Sequence, residues 1–366
     1  MFAVMLRHLW RARTQTIVTL LLAMLIVLLV SVPSAIRDSA IDKPQNYLRN
    51  SGADVYAAQS GVHDYISASV MSYGDTEAIK AIPGVSDVQG VHLMFTTIKA
   101  GDRLERGVIQ SYRVKKDFGG PWKLAEGRPP EQSGEVAIDK GFKQSLAVDL
   151  GGSINLGGHD YTVVGFSDET AAIGKQLVFM TVSDVEQYLL GGPGLLNFIL
   201  VKTDRPAEVR DAIKALGLSA FTRDEFVDQN HDYWQDQIAP SMNMVIYVTV
   251  ICGVIMVLLA TFQSVRSRQR YFGVSKANGV STFRLASMEF GKLIVASLVG
   301  IVIGVAISPA IISVVNSGSA GLDAALSSSI ISSAVLIMAT VSVVSVIPAI
   351  ISLVRIDPGL AIKEAV

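Results

Sequence analysis

The 366-residue sequence predicts a membrane protein with four transmembrane α-helices and one large extracytoplasmic α+β domain between spans 1 and 2. Three observations predict it. Half of the residues are apolar and only 17% are charged, against about 25% in an ordinary soluble domain. The apolar residues gather in four uncharged stretches, 17–36, 242–262, 293–315 and 330–354, each close to the ~20 residues that a helix needs to cross a bilayer. Between the first two lies 37–241, whose composition is that of a soluble domain.

The organisation follows in chain order. Residues 1–36 form an N-terminus and the first span, read as an uncleaved anchor because three further spans follow. Residues 37–241 form the outer domain. Residues 242–366 carry spans 2–4, a basic loop at 263–292 and a tail. Lys and Arg in short loops set the orientation. The N-terminus has Arg7, Arg11 and Arg13. The 263–292 loop has Arg266, Arg268, Arg270, Lys276, Arg284 and Lys292 against one acid, Glu289. Loop 316–329 has no basic residue and one acid, Asp323, while the tail has Arg355 and Lys363. All four spans therefore agree on one expectation. The chain is multi-pass in the cytoplasmic membrane, with both termini and the basic loop in the cytoplasm.

Within the outer segment, Ala78, Ile79 and Ile82 have helical spacing, and Pro83-Gly84 stops that helix. Strand patterns follow at 85–97. A strand at 198–202 precedes a helix at 206–216, and such pairs suggest an α+β layer. Short strands at 135–138, 153–156 and 161–166, parted by Gly151-Gly152 and Gly157-Gly158, read as a β-rich insert within 128–182. Residues 221–238 are expected to form a helix that continues toward the second span.

Several chemistries are absent from the sequence. Of the phosphate-binding Gly-x-x-x-x-Gly-Lys-Ser/Thr loop there is no copy, so ATP is expected to be bound by another subunit. One cysteine, Cys252, excludes an internal disulfide, and five scattered histidines lack metal-site spacing, so no catalytic or metal residues are assigned. No charge lies in the middle of the four stretches, which disfavours an ion channel or a proton pump. The chain is not expected to be an enzyme by itself. Nucleic acid is not an expected partner, since the net charge is only −1.

The loop from Gln263 to Thr282 resembles the cytoplasmic loop of the FtsX/MacB-type ABC transporter permeases. In that family a basic run precedes a Gly-x-x-Lys-Ala-x-Gly-x-Ser stretch, matched here by Arg266, Arg270, Gly273, Lys276, Ala277, Gly279 and Ser281. The family commonly carries an acid before the first glycine, where this chain has Tyr271-Phe272. Pro348, Ala349, Arg355 and Pro358 resemble the family's closing pattern. The segments 126–128, 134–138, 148–154 and 161–165 resemble its extracytoplasmic core domain. The resemblance implies a permease subunit working as a homodimer with two copies of a separate ABC ATPase. It also implies a coupling helix formed by Arg266, Arg270, Phe272, Gly273, Val274, Lys276 and Gly279, with Phe272, Val274 and Ala277 available to a partner groove. Gly300 and Gly304 in the third stretch permit close helix packing, within one subunit or between two.

Two function classes follow from the resemblance. One is an efflux permease for a hydrophobic or amphipathic substrate, with lipid, lipoprotein and peptide among the options. The other is a transducer that activates an extracytoplasmic partner. His231, Tyr233 and Trp234 lie just before the second stretch, Met242, Met244 and Tyr247 in its outer half, and Met24 in the first. An aromatic belt with methionine filler explains them. So does a cleft at one membrane level for a flat amphipathic molecule. Haem fits such a cleft as transported substrate, not as permanent cofactor, because His, Tyr and Met are its usual iron ligands. The layout is similar to the family's haem-exporting members.

Overall fold

The computed structural model describes residues 13–114, 116, 118–170, 176–189, 195–318 and 324–355. Arg7, Arg11, Asp323, Pro358 and Lys363, used above for orientation and the closing pattern, lie outside them. The chain divides into two compact units. One comprises residues 1–37, 240–314 and 325–366, and the other comprises 38–239 and 315–324.

The outer unit begins with a short helix, α2 (Gln45–Asn50), which follows α1 (Arg13–Asp42). Its first sheet has the order β11-β1-β10-β2, from Ser219–Thr222, Val55–Ala58, Phe198–Thr203 and Val85–Val91. Two helices, α3 (Tyr73–Lys80) and α5 (Pro206–Ala215), cover one face. Val55, Ala57, Ile199 and Val201 point there and meet Ile79, Val209 and Ile213. Their neighbours Tyr56, Ala58, Phe198 and Leu200 join a second core on the opposite face. The two-residue period thus buries both sides of the strands. Helix α3 starts at a reciprocal cap, Ser72 with Asp75, which satisfies two otherwise orphaned N–H groups.

The β-rich part is larger than the expected 128–182 insert. Seven strands take the order β5-β8-β6-β9-β4-β3-β7, and β7 also pairs with β8. They are β3 (Leu93–Ala100), β4 (Arg103–Tyr112), β5 (Leu124–Gly127), β6 (Glu135–Asp139), β7 (Ser153–Leu156), β8 (His159–Ser167) and β9 (Gln176–Thr181). Leu156 faces Ile98 on β3 while Ile154 faces Tyr161 on β8, so the pairings close on themselves. The closed sheet, with α4 (Gly141–Ser145) against it, is filled by Ile98, Ile109, Ile138, Ile154, Val163, Phe166 and Val178. β3 and β4 precede the expected insert in sequence, which is why a contiguous window missed them.

His92, between β2 and β3, is fully enclosed. Its Nδ1 lies 3.0 Å from Ser111 Oγ, and its Nε2 has no hydrogen-bond partner among the described residues. Burial pushes its pKa down from 6.5 to about 4. The unfolded chain therefore binds a proton between those values that the fold refuses. Stability is complete above the ordinary histidine value and falls as pH drops through the window, by on the order of 3 kcal/mol. Thermal unfolding of the full chain between pH 7 and pH 4 should show this slope, and His92→Gln should flatten it.

The other unit holds the apolar helices. Four described helices are long and apolar enough to cross a membrane, within Thr16–Asp42, Arg223–Arg266, Thr282–Asn316 and Ser328–Val354. They belong to α1, α6 (Arg223–Arg266), α8 (Thr282–Gly318) and α9 (Ser328–Val354). The expected helix at 221–238 is the first part of α6, which continues without interruption through Pro240.

Glycine decides how these helices approach. A Cβ at Gly300 would sit 2.6 Å from the Leu20 carbonyl oxygen and 2.7 Å from Ala23 Cβ; one at Gly304 would meet Val27 at 3.0 Å. So the Gly300/Gly304 face packs on α1 of the same subunit. Gly253 on α6 receives Ile26 of α1 in the same way. Hydroxyl pairs bridge the apolar contacts, Ser31 to Ser308 at 3.1 Å and Ser342 to Ser297 at 3.0 Å. Each serine also donates to, or lies beside one donating to, a carbonyl four residues back, which satisfies it inside the bundle.

α8 starts eleven residues before its uncharged stretch, so Glu289 and Lys292 lie on the helix and form an ion pair that is only 12% exposed. Thr16, Thr19, Thr261 and Ser264 from α1 and α6 line the same small polar recess.

Gly300→Ala should force the α1 and α8 backbones apart, costing about 1–3 kcal/mol. A lowered thermal midpoint of the purified protein is the expected result, with a smaller loss for Gly304→Ala.

Candidate functional site

The basic loop folds into a short platform. α6 ends at Arg266, and a turn closed by Arg268 N–H donating to the Val265 carbonyl leads into α7 (Gln269–Ala277). α7 stops because Gly279 takes φ +84°, a conformation that costs glycine no Cβ clash. The Val280 N–H then reaches back to the Ser275 carbonyl. Ser281 Oγ accepts from Arg284 N–H and opens α8. Gly279 and Ser281 are thus punctuation between two helices.

The two faces of α7 differ. Phe272 is 2% exposed and packs with Val265, Leu285 and Leu353. It is core, so the expectation that it is available to a partner is corrected. The helical period turns it inward while Tyr271 and Val274 turn out. Gly273 is buried beside Phe272. Lys276 Nζ donates to the carbonyls of Leu353 at 2.7 Å and Val354 at 3.2 Å. These are last-turn carbonyls of α9, where a cation also meets the negative end of the helix dipole. The expected coupling residues therefore divide into anchors, Phe272, Gly273 and Lys276, and an outward group, Arg266, Arg270, Val274 and Ala277.

Phe283, 84% exposed at the start of α8, was missed by sequence reasoning. Its signal was a lone aromatic within the polar run Ser281-Thr282-Phe283-Arg284. Tyr271, Val274 and Phe283 are thus each exposed in a segment that also exposes Arg266, Arg270 and Arg284, and aromatic residues and arginine are the types enriched where partner proteins dock.

The outer group is less unified. Tyr233 and Trp234 contact edge to face, with ring centroids 5.3 Å apart. His231 Nδ1 turns instead to Asp42, 3.5 Å from its Oδ1. Met244 and Tyr247, three residues apart, share one helix face and are 67% and 64% exposed. Met242 is half-buried. Met24 is the clear correction. Arg37 Nη1 donates to Asn243 Oδ1 at 2.7 Å, and Ile26 lies against Gly253, so α1 and α6 run antiparallel and set Met24 level with Ile255. That is about 12–20 Å along the helix from the Met242–Tyr247 group. Its backbone N and O lie beside Gly300 and Gly304. One membrane level does not hold all seven residues.

Residues 16–217 match the MacB-like periplasmic core domain, and residues 243–358 match the FtsX-like permease C-terminal. An uncharacterized ABC transporter permease of Mycobacterium bovis is 22% identical over 263 residues, covering 69% of this chain and 70% of that protein. The periplasmic region of MacB from Actinobacillus actinomycetemcomitans is 16% identical, with a TM-score of 0.36 over 48% of this chain and 92% of that one. The extracellular domain of the ABC-type transporter YknZ from Gram-positive bacteria is 13% identical, with a TM-score of 0.35 over 46% and 99%.

Substitutions on the two faces of α7 should behave differently. Val274→Asp and Phe283→Asp should leave the thermal midpoint unchanged and weaken retention of the partner ATPase severalfold. Phe272→Ala should lower the midpoint, since emptying a buried aromatic site costs about 3–5 kcal/mol. Co-purification and a thermal shift measured on the same preparations separate the two effects.

Proposed function

Because the chain belongs to the FtsX/MacB-type ABC transporter permeases, with an ABC ATPase for a partner and a multi-pass place in the membrane, we propose that it is the permease subunit of an efflux transporter. In this reading a separate ATPase binds and hydrolyses ATP, and the permease carries the stroke to a hydrophobic or amphipathic substrate expelled outward from the cytoplasmic membrane. The observation that carries it is the α7 platform. It is anchored by Phe272 and Lys276 to the end of span 4 and exposes Tyr271, Val274 and Phe283 beside Arg266 and Arg270. Both termini are cytoplasmic, and two copies of the chain work with two copies of the ATPase.

Haem is the substrate we propose. His231, Tyr233, Trp234, Met242, Met244 and Tyr247 supply iron ligands and flat packing surfaces along one helix. Exposure of Met244 and Tyr247 supports a molecule arriving sideways from the lipid, whose apolar ring would gain about 25 cal/mol for each Å2 it buries. Met24 takes no part.

A second reading is favoured by one observation: α6 is unbroken from Arg223 to Arg266. Such a rod suits a transducer that passes ATP-driven motion to an extracytoplasmic partner without transport.

Haemin titration of the purified protein separates the readings. Efflux of haem predicts a shifted Soret band, lost or weakened by Tyr247→Ala, Met244→Ala or His231→Ala, together with lowered haem tolerance in cells. An unchanged Soret band in wild type and variants removes haem, and intact ATPase coupling in the same preparations would then leave the transducer or export of another hydrophobic or amphipathic substrate.

A further inference from the structure

The outer unit holds a cleft of about 530 Å3 that the permease function does not use. Its volume is in the range of organic ligands rather than single ions. Its floor is the Gly119-Gly120 turn. A Cβ on Gly119 would lie 2.3 Å from Gln89 Nε2, and one on Gly120 would lie 3.0 Å from the Tyr112 ring, so only bare backbone fits there. The turn is fixed from behind. The Gly119 carbonyl accepts from Tyr47 Oη and Gln110 Nε2, both at 3.1 Å, and the Gly119 N–H donates to the Ser51 carbonyl at 2.7 Å.

The walls are equally fixed. Pro129 and Pro130 form one side, tethered by Tyr112 Oη donating to the Pro130 carbonyl. The following turn is held because Glu135 accepts the N–H groups of Glu131 and Gln132 while Arg128 grips it with both guanidinium nitrogens. That bonding, with the Arg128 fork first, brings the Glu135 carboxyl down to about 2. Pro121 and Trp122 form the other side over the buried Phe118, the indole packed against Tyr47 and Phe179.

Among the described residues the rim is polar and close to neutral. Asn50, Glu131 and Gln132 offer amide and carboxylate groups, and Lys116 is paired with Asp87. A lipid chain would find too many polar groups here, and an anion would find the one cation among the described lining residues, Lys116, already engaged. The only strand among the described lining is the end of β4, at Tyr112, which pairs with Thr181 of β9, while the register with β3 stops at Gln110. An extended peptide would find only the terminus of one strand here, too short an edge for strand addition.

We infer that this cleft binds a neutral saccharide chain outside the membrane, its C–H faces packed on the proline and aromatic walls and its hydroxyls bonded to the amide rim. Amides donate to and accept from sugar hydroxyls, carboxylates accept from them, and aromatic faces supply apolar contact without charge. The inference stands apart from the substrate of the permease, since no residue of the haem proposal lines the cleft.

The test uses the full chain in lipid nanodiscs free of glycoside detergents. Chitotriose and maltotriose are the probes, read by saturation-transfer NMR and by tryptophan emission. The expected result is binding of at least one, weakened roughly five- to tenfold by Asn50→Ala and by Gln132→Ala, the loss of about one hydrogen bond each. Both variants sit on the rim, and their thermal midpoints should match wild type. Tyr112→Phe keeps the ring and frees Pro130, so it should weaken binding too. No transfer to either sugar would overturn the inference, as would transfer indifferent to both rim variants. Preferential binding of the peptide Ala-Pro-Pro-Ala would overturn it in favour of a polypeptide ligand.

Discussion

The membrane unit depends on backbone-to-backbone contact between its first and third spans. In lipid there is little hydrophobic drive to bring helices together, so packing and small polar contacts must do it. Gly300 and Gly304 let α8 approach until the Leu20 carbonyl and Ala23 are nearly touched. At that distance Ser31 and Ser308 can reach one another, and each is otherwise a polar group in hydrocarbon. Gly253 repeats the device between α6 and α1. Span 1 is therefore in direct contact with both spans 2 and 3. The polar recess of Glu289 and Lys292 follows from the same geometry, because helices this close can share their threonine and serine hydroxyls with an ion pair that lipid would penalise.

The outer unit obeys a different constraint. Water is available to its surface, so alternation and turn chemistry decide the structure. Those signals were readable: α3 sits where Ala78, Ile79 and Ile82 have helical spacing, α5 follows the strand expected at 198–202, and β6, β7 and β8 are parted by the two glycine pairs. Closure of the second sheet was not readable. It depends on β3 meeting β7, whose residues Ile98 and Leu156 lie far apart in sequence and carry no mark of one another. Local pattern gives strands, while partner choice is a long-range packing result.

The same division explains the candidate sites. Arg266, Arg270, Gly279 and Ser281 could be placed from the sequence because loops and caps are local. The burial of Phe272 could not, since it requires Leu285 and Leu353 from two other helices. The role of Lys276 was hidden for a similar reason: its partners are carbonyls of α9, which no side-chain pattern reports. Met24 was misplaced because depth along an antiparallel pair is set by contacts. The pairs Arg37–Asn243 and Ile26–Gly253 fix that register, and neither is visible in hydropathy.

These contacts give the platform a mechanical character. α7 is joined by chain to α6 on one side and to α8 on the other, and Lys276 ties it to α9. The Phe272 core contains residues from all three: Val265 from α6, Leu285 from α8 and Leu353 from α9. A force applied to the exposed residues Tyr271, Val274 and Phe283 must therefore pass into spans 2, 3 and 4 together, because close-packed side chains move as a unit and do not yield independently. Among the described residues span 1 has no member in that core, and it meets spans 2 and 3 at Gly253, Gly300 and Gly304. The tight glycine contacts and the buried platform core are thus two places where the four helices are packed to one another. A small residue is needed at the first and a large one at the second, since the first must bring backbones together and the second must fill the space where three helices end.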